Sequence, residues 1–181
     1  MKSLKIIIVL SLTCILSAAV LSLASKVTEI KIEQNKKSEI NKAIFAVVKD
    51  ATKVESVAGN MEIYKTFDKN NNPNGYAFIA QGDGYQGKII ILCGVDLELK
   101  EILGIEIIES LETPGLGGKI NEPEFKEQFK GLVLSKDITY GKTLDKENNQ
   151  IQAITGATIS SRSVVNIVNK AIVGLKQTLN K

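Results

Sequence analysis

The sequence predicts an α+β fold, an antiparallel sheet with packed helices, preceded by a single N-terminal transmembrane helix. Three observations predict it. Ile6 to Ala24 is an unbroken uncharged stretch dominated by Leu, Ile and Val. Between Met61 and Ile108, short strand-like runs alternate with turns rich in Asn, Asp and Gly. Near the C-terminus, Val164, Val168, Ala171, Ile172, Leu175 and Leu179 form one apolar helical stripe. A length of 181 residues suffices for one folded domain beside the apolar segment. The expected division is an anchor over 1–25, a connector over 26–38 and a domain over 39–181.

The apolar stretch spans roughly 28 Å as a helix, close to the ~30 Å hydrocarbon thickness of a bilayer. Lys2 and Lys5 precede it, which fits a cytoplasmic N-terminus, but Lys26, Lys31, Lys36 and Lys37 follow it, so flanking charge does not settle orientation. A cleaved signal peptide would have a shorter apolar core and a small-residue cleavage site, for which Ser22-Leu23-Ala24 could serve. The length favours a retained signal anchor. Cys14 sits in the middle of the run, not at its end where a lipoprotein cysteine belongs.

Within the domain, Ile40, Ile44, Val47 and Val48 recur at helical spacing with Lys42, Lys49 and Asp50 on the other side, predicting a first helix. Met61 to Phe67 alternates as a strand. Asn70 to Gly75 is a turn, and Tyr76 to Ala80 returns as a second strand. Gly82 to Gly87 bends into the apolar run Lys88 to Val95, which has the composition of a central strand. After a polar turn at Asp96 to Lys100, Ile102 to Ile108 completes an antiparallel meander of at least four strands. Asn121 is a candidate N-cap for a short helix with Pro123 in its first turn and Phe125 and Phe129 paired along one side. Leu132 to Ile138 and Ile151 to Ile154 are weaker strand candidates. The final helix is expected over Ser161 to Leu179, with Thr158 or Ser160 as its cap.

Composition narrows the chemistry. With two cysteines and no histidine, a Cys/His zinc site and a His-activated nucleophile are excluded. Cys14 and Cys93 lie in different environments and do not pair, and Cys93, inside an apolar run, reads as a buried structural thiol. A net charge of +3 with acids and bases interleaved points to no nucleic-acid partner.

Two segments remain as a candidate site. In Thr155-Gly156-Ala157-Thr158-Ile159-Ser160-Ser161 a glycine and an alanine let a bulky group approach the backbone at the start of a helix, whose free amides favour an anion such as a phosphate. Glu112-Thr113-Pro114-Gly115-Leu116-Gly117-Gly118 is a stiff loop that brings main chain towards a ligand. The loop at Gly82 to Gly87 is a third glycine-rich element, and its Tyr85 could stack on a flat ligand. Each segment alone also reads as an ordinary turn.

Taken together and in this order, Gly84-Tyr85-Gln86-Gly87, Glu112-Thr113-Pro114-Gly115-Leu116-Gly117 and Thr155-Gly156-Ala157-Thr158 resemble the FMN-binding domain family. In particular they look like the G subunits of Rnf-type electron-transport complexes and the related C subunits of sodium-translocating NADH:quinone reductases. The resemblance covers almost the whole chain, the anchor included. It implies an electron-carrying flavoprotein subunit of a membrane-bound, ion-translocating ferredoxin:NAD oxidoreductase complex, with no independent catalysis and no metal. It implies FMN held by a phosphoester on Thr158, placed there by a flavin transferase, with Glu112 to Gly117 lying near the flavin. It also implies other membrane subunits as partners and a domain on the extracytoplasmic side. One departure stands at Gln152, where the family often has an acidic residue three positions before the motif's first hydroxyl residue. Two other readings stay open: an anchored FMN-binding sensory or extracellular electron-transfer domain outside an ion pump, and a cofactor-free binding or assembly module.

Overall fold

The computed structural model describes residues 2–59 and 61–179. The chain forms two compact units, residues 1–39 and 40–181. Helix α1 runs over Lys2–Val47 and includes the whole of the expected connector at 26–38. Within it, Leu4–Leu23 is one segment long and apolar enough to cross a membrane, with a mean hydropathy of 2.7.

The second unit is built on a five-stranded antiparallel meander in sequence order. Its strands are β1 (Lys53–Val57), β2 (Ile63–Phe67), β3 (Pro73–Asp83), β4 (Lys88–Val95) and β5 (Ile102–Ser110). Strands β3 and β4 pair over the full hairpin, from Tyr76↔Val95 to Asp83↔Lys88. Strand β4 lies inside the sheet, between β3 and β5, and is buried on both faces, as a continuous apolar run should be. One face packs Phe78, Ile91 and Cys93 against the buried stripe of the last helix, Val164, Val168 and Leu175. On the other face Ile40, Ile44, Val47 and Val48, the end of α1 and the residue after it, lie over Ala77 and Leu92. Burial in this core pushes the Cys93 thiol up, out of reach of ionisation at neutral pH.

After β5 come a 3₁₀ turn at Gly117–Asn121, the short helix α2 (Pro123–Lys126) and a second 3₁₀ turn at Glu127–Phe129. Phe125 and Phe129 meet edge to face at 5.6 Å between ring centres. Strands β6 (Thr139–Gly141) and β7 (Gln150–Gln152) form a separate parallel pair, and α3 (Thr158–Thr178) closes the domain.

Several sequence expectations are corrected. The meander of at least four strands stands, and β1 is a fifth that the residue pattern does not announce: it is an exposed edge strand, its Lys53 and Glu55 paired in solvent, so it lacks the apolar alternation that marks a strand. Asn121 is not the cap of α2. Glu122 holds that position, while the Asn121 side chain donates to Gly118 O at 2.9 Å. Leu132 to Ile138 forms no strand. The buried Asn149 amide accepts from Val133 N and donates to the carbonyls of Val133 and Lys136, satisfying backbone that a ladder would otherwise need. The last candidate strand shifts from Ile151–Ile154 to Gln150–Gln152. Helix α3 starts at Thr158, three residues before the expected Ser161.

Candidate functional site

Three loops converge at one end of the sheet. The first is the β3–β4 turn, closed by Gly84 N donating to Gly87 O at 2.7 Å. The second follows β5, where Thr113 O accepts from Leu116 N at 3.1 Å and from Gly118 N at 2.9 Å, coiling Thr113 to Gly118 into a compact knot. Pro114, Gly115 and Leu116 stand exposed at its tip, and Gly117 is buried behind them. The third is the segment between β7 and α3. There Ala157 N donates to Ile154 O at 2.9 Å, a turn that needs a left-handed residue, supplied by Gly156 at φ +82°.

The start of α3 places the hydroxyls differently from one another. Ala157 is the N-cap, so neither Thr158 nor Ser160 caps the helix, and no side chain satisfies the first turn. Ser161 Oγ is buried; it donates to Ala157 O at 3.1 Å and accepts from Ile154 N at 3.0 Å. Ser160 Oγ is also buried and donates to Glu112 Oε2 at 2.6 Å. Thr158 is exposed as the first helical residue, and its hydroxyl makes no hydrogen bond among the described residues. The amides of Thr158, Ile159 and Ser160 likewise have no acceptor among the described residues. Free amides and the positive end of a 21-residue helix therefore surround an accessible hydroxyl.

Glu112 joins the loops. Its side chain is buried, Oε1 accepting from Tyr85 N at 2.6 Å and Gln86 N at 3.1 Å while Oε2 accepts from Ser160. The fold thus brings together the backbone of Tyr85, Glu112, Gly117 and the beginning of α3. Leu116 reaches towards Gly156, its Cδ2 lying 3.9 Å from where a β-carbon would stand there. The Tyr85 ring is 65% exposed, so the contact seen for this residue is its amide. Thr155 is exposed beside Gly156, and Thr113 is half-buried. The backbone of Gln152 is held by Gln128, whose Oε1 accepts from Gln152 N at 2.6 Å. Ser160 is the site residue whose role the sequence did not show, although it stands four positions before Val164 on the buried stripe and was legible there as an inward hydroxyl.

The residues fit a phosphate-bearing cofactor. An exposed hydroxyl, unpartnered amides and a left-handed glycine leave room and donors for an anion. Nearby Leu116, Leu111 and Ile159 are 53%, 63% and 45% exposed, offering apolar surface to a flat ring. No cluster of His, Cys, Asp or Glu suited to a metal occurs among the described residues.

The FMN-binding domain model matches residues 84–173, from the β3–β4 turn into α3. The G subunit of the ion-translocating oxidoreductase complex of Methanosarcina acetivorans is 30% identical over 177 residues, covering 93% of this chain and 92% of that protein. The G subunit of the proton-translocating ferredoxin:NAD(+) oxidoreductase complex of Clostridium ljungdahlii is 32% identical over 164 residues, covering 90% and 86%. Among solved structures, the C subunit of the Na(+)-translocating NADH-quinone reductase of Parabacteroides distasonis shares the fold. It aligns with a TM-score of 0.63 at 20% identity, over 78% of this chain and 92% of that one. The matching domain model, together with a G subunit 30% identical over almost the whole of both proteins, places the chain in the FMN-binding domain family.

Proposed function

We propose that this chain is the electron-carrying flavoprotein subunit of a membrane-bound, ion-translocating ferredoxin:NAD oxidoreductase complex of the Rnf type. It is anchored by Leu4–Leu23, with its domain on the extracytoplasmic side, and FMN is joined by a phosphoester to Thr158 Oγ1. The observation that carries the attachment is the contrast among neighbouring hydroxyls. Ser160 and Ser161 are buried and bonded, whereas Thr158 alone of the three is exposed and unpartnered among the described residues.

Each residue has a stated task. The free amides at the start of α3 hold the phosphate oxygens, and the helix end favours their charge by about 0.3–1 kcal/mol. So weak a hold suits a covalent link, which keeps the local concentration high whatever the intrinsic affinity. In the attachment step the Thr158 oxygen forms the new bond to phosphorus. The bond from that phosphorus to the leaving group of a flavin donor held by the transferase breaks, and the hydroxyl proton passes to a base of the transferase. The Gly156 turn keeps the backbone clear of the incoming group. Bound FMN supplies the electron uptake and release, and the protein supplies orientation and electrostatics. Partners follow from the same reading: a flavin transferase for maturation and the other membrane subunits of the complex.

Thr158→Val tests it. Co-expressed with a flavin transferase, the parent chain should show flavin fluorescence in a denaturing gel and an adduct mass mapped to Thr158, and the variant should show neither. A parent chain without adduct, or an adduct retained in the variant, would sink the assignment.

A further inference from the structure

Among the described residues Glu112 is the one charged side chain that the fold buries, at 6% exposure. No lysine or arginine among the described residues pairs with it. Its charge is met by two backbone amides and one hydroxyl, each on a different stretch of chain from its own. A buried carboxylate held by three donors defines one geometry sharply, because losing any donor leaves a charged oxygen short of a partner. What it orders is surface loop: Tyr85, Leu111 and Leu116 around it are all more than half exposed.

The backbone is built around this carboxylate. A β-carbon on Gly84 would stand 2.3 Å from Glu112 Oε1, and one on Gly117 would stand 2.4 Å from Oε2 and 2.5 Å from Ser160 Oγ. Both glycines let main chain close on the acid from opposite sides. Ser160 is the third residue of α3, two positions after Thr158 and within the same first turn. The Glu112–Ser160 bond therefore ties the turn that carries the Thr158 hydroxyl to the β3–β4 turn and the loop after β5.

We propose that Glu112 is a positioning residue for cofactor attachment, acting through Ser160 on the first turn of α3 rather than by touching the cofactor. This rests on the reading of Thr158 as the FMN acceptor. Both carboxylate oxygens are engaged inside the protein. Oε1 draws the β3–β4 turn against the loop after β5, and Oε2 sets the helix. Serine is required at position 160 for its hydroxyl, and glutamate at 112 for its reach to two elements at once.

The test uses the full chain co-expressed with a flavin transferase, with the fraction carrying the adduct measured by intact mass at fixed times. Ser160→Ala and Glu112→Ala should each slow attachment about tenfold, the effect of an unsatisfied buried polar group on one orientation. Glu112→Gln should restore it to within about twofold, because the amide oxygen can accept from Tyr85 and Gln86 while its NH₂ donates to Ser160. Hydrogen exchange over residues 84–87 in the flavin-free chain should quicken in Glu112→Ala and not in Glu112→Gln. Thr66→Val supplies the control. Thr66 is fully buried at the β2–β3 pair, where its hydroxyl bonds Asn74 at 2.7 Å, and its loss should lower thermal stability without slowing attachment. If Glu112→Ala does not fold, Ser160→Ala decides alone. Attachment at the parent rate in Ser160→Ala, or an equal slowing by Thr66→Val, overturns the positioning role and leaves the Thr158 assignment standing. A parent chain that takes no flavin overturns the assignment itself.

Discussion

At the scale of single residues, function here depends on which of several similar side chains is left free. Thr155, Thr158, Ser160 and Ser161 are alike in sequence; burial sets Ser160 and Ser161 apart from the two exposed threonines, of which only Thr158 lies within α3. The convergence of the Thr155–Ser161 segment and the Glu112 loop was legible in the sequence because glycine, proline and hydroxyl residues signal backbone access. The bond between Ser160 and Glu112 was not, since the two are 48 residues apart and nothing local couples them. Gly156 gives a prediction at this scale. Its φ of +82° is strained for any other residue, yet a β-carbon there would meet only Leu116, at 3.9 Å. Gly156→Ala should thus lower stability by about 1 kcal/mol through backbone strain alone, seen as a reduced thermal midpoint.

At the scale of elements, turns and the sheet were easier to read than the irregular stretch between Phe129 and Thr158. The β2–β3 turn shows why. Asp68 Oδ1 accepts from Asn70 N and Asn72 N, both at 2.8 Å, in a self-contained asparagine-rich loop. The Asn72 amide is the chief reason that the Asp68 carboxyl is held below its ordinary value of 3.8. Its contribution to stability is complete above the ordinary value and is lost as pH falls through the lower folded one. Asp145 is shifted the same way, chiefly by the Asn148 side chain. Asp68→Asn should therefore flatten the decline of the thermal midpoint below about pH 4, measured as a series of melts against the parent chain. By contrast, the Leu132–Ile138 backbone is held by scattered partners: the backbone of Lys100 and Ile102, and the side chains of Asn149, itself at φ +56° and buried, and of Asn169. A strand-like run of apolar residues carries no sign that its ladder shrinks to a single bridge at Val133 and that side chains from elsewhere serve the rest. The early start of α3 has a similar origin: Ala157 caps it without a side-chain bond, so the usual Ser/Thr signal pointed too far along.

At the scale of the whole molecule, one apolar span and one flavin-binding domain make the chain a tethered redox carrier. Removing residues 2–25 should release the domain from the membrane fraction in carbonate extraction, while the full chain stays behind. A C-terminal reporter that works only outside the cytoplasm should be active; an inactive one would reverse the proposed sidedness. The position of Thr158 has a further consequence. It is the first residue of a long helix whose inner face, from Val164 to Leu175, is locked into the core. A threonine side chain adds a single β-branched torsion between that helix and whatever it bears. A group carried on Thr158, as proposed, would thus have a rigid root. On the proposed attachment, whatever freedom the flavin keeps would lie in its own phosphate and ribityl bonds, beyond a helix end that does not move.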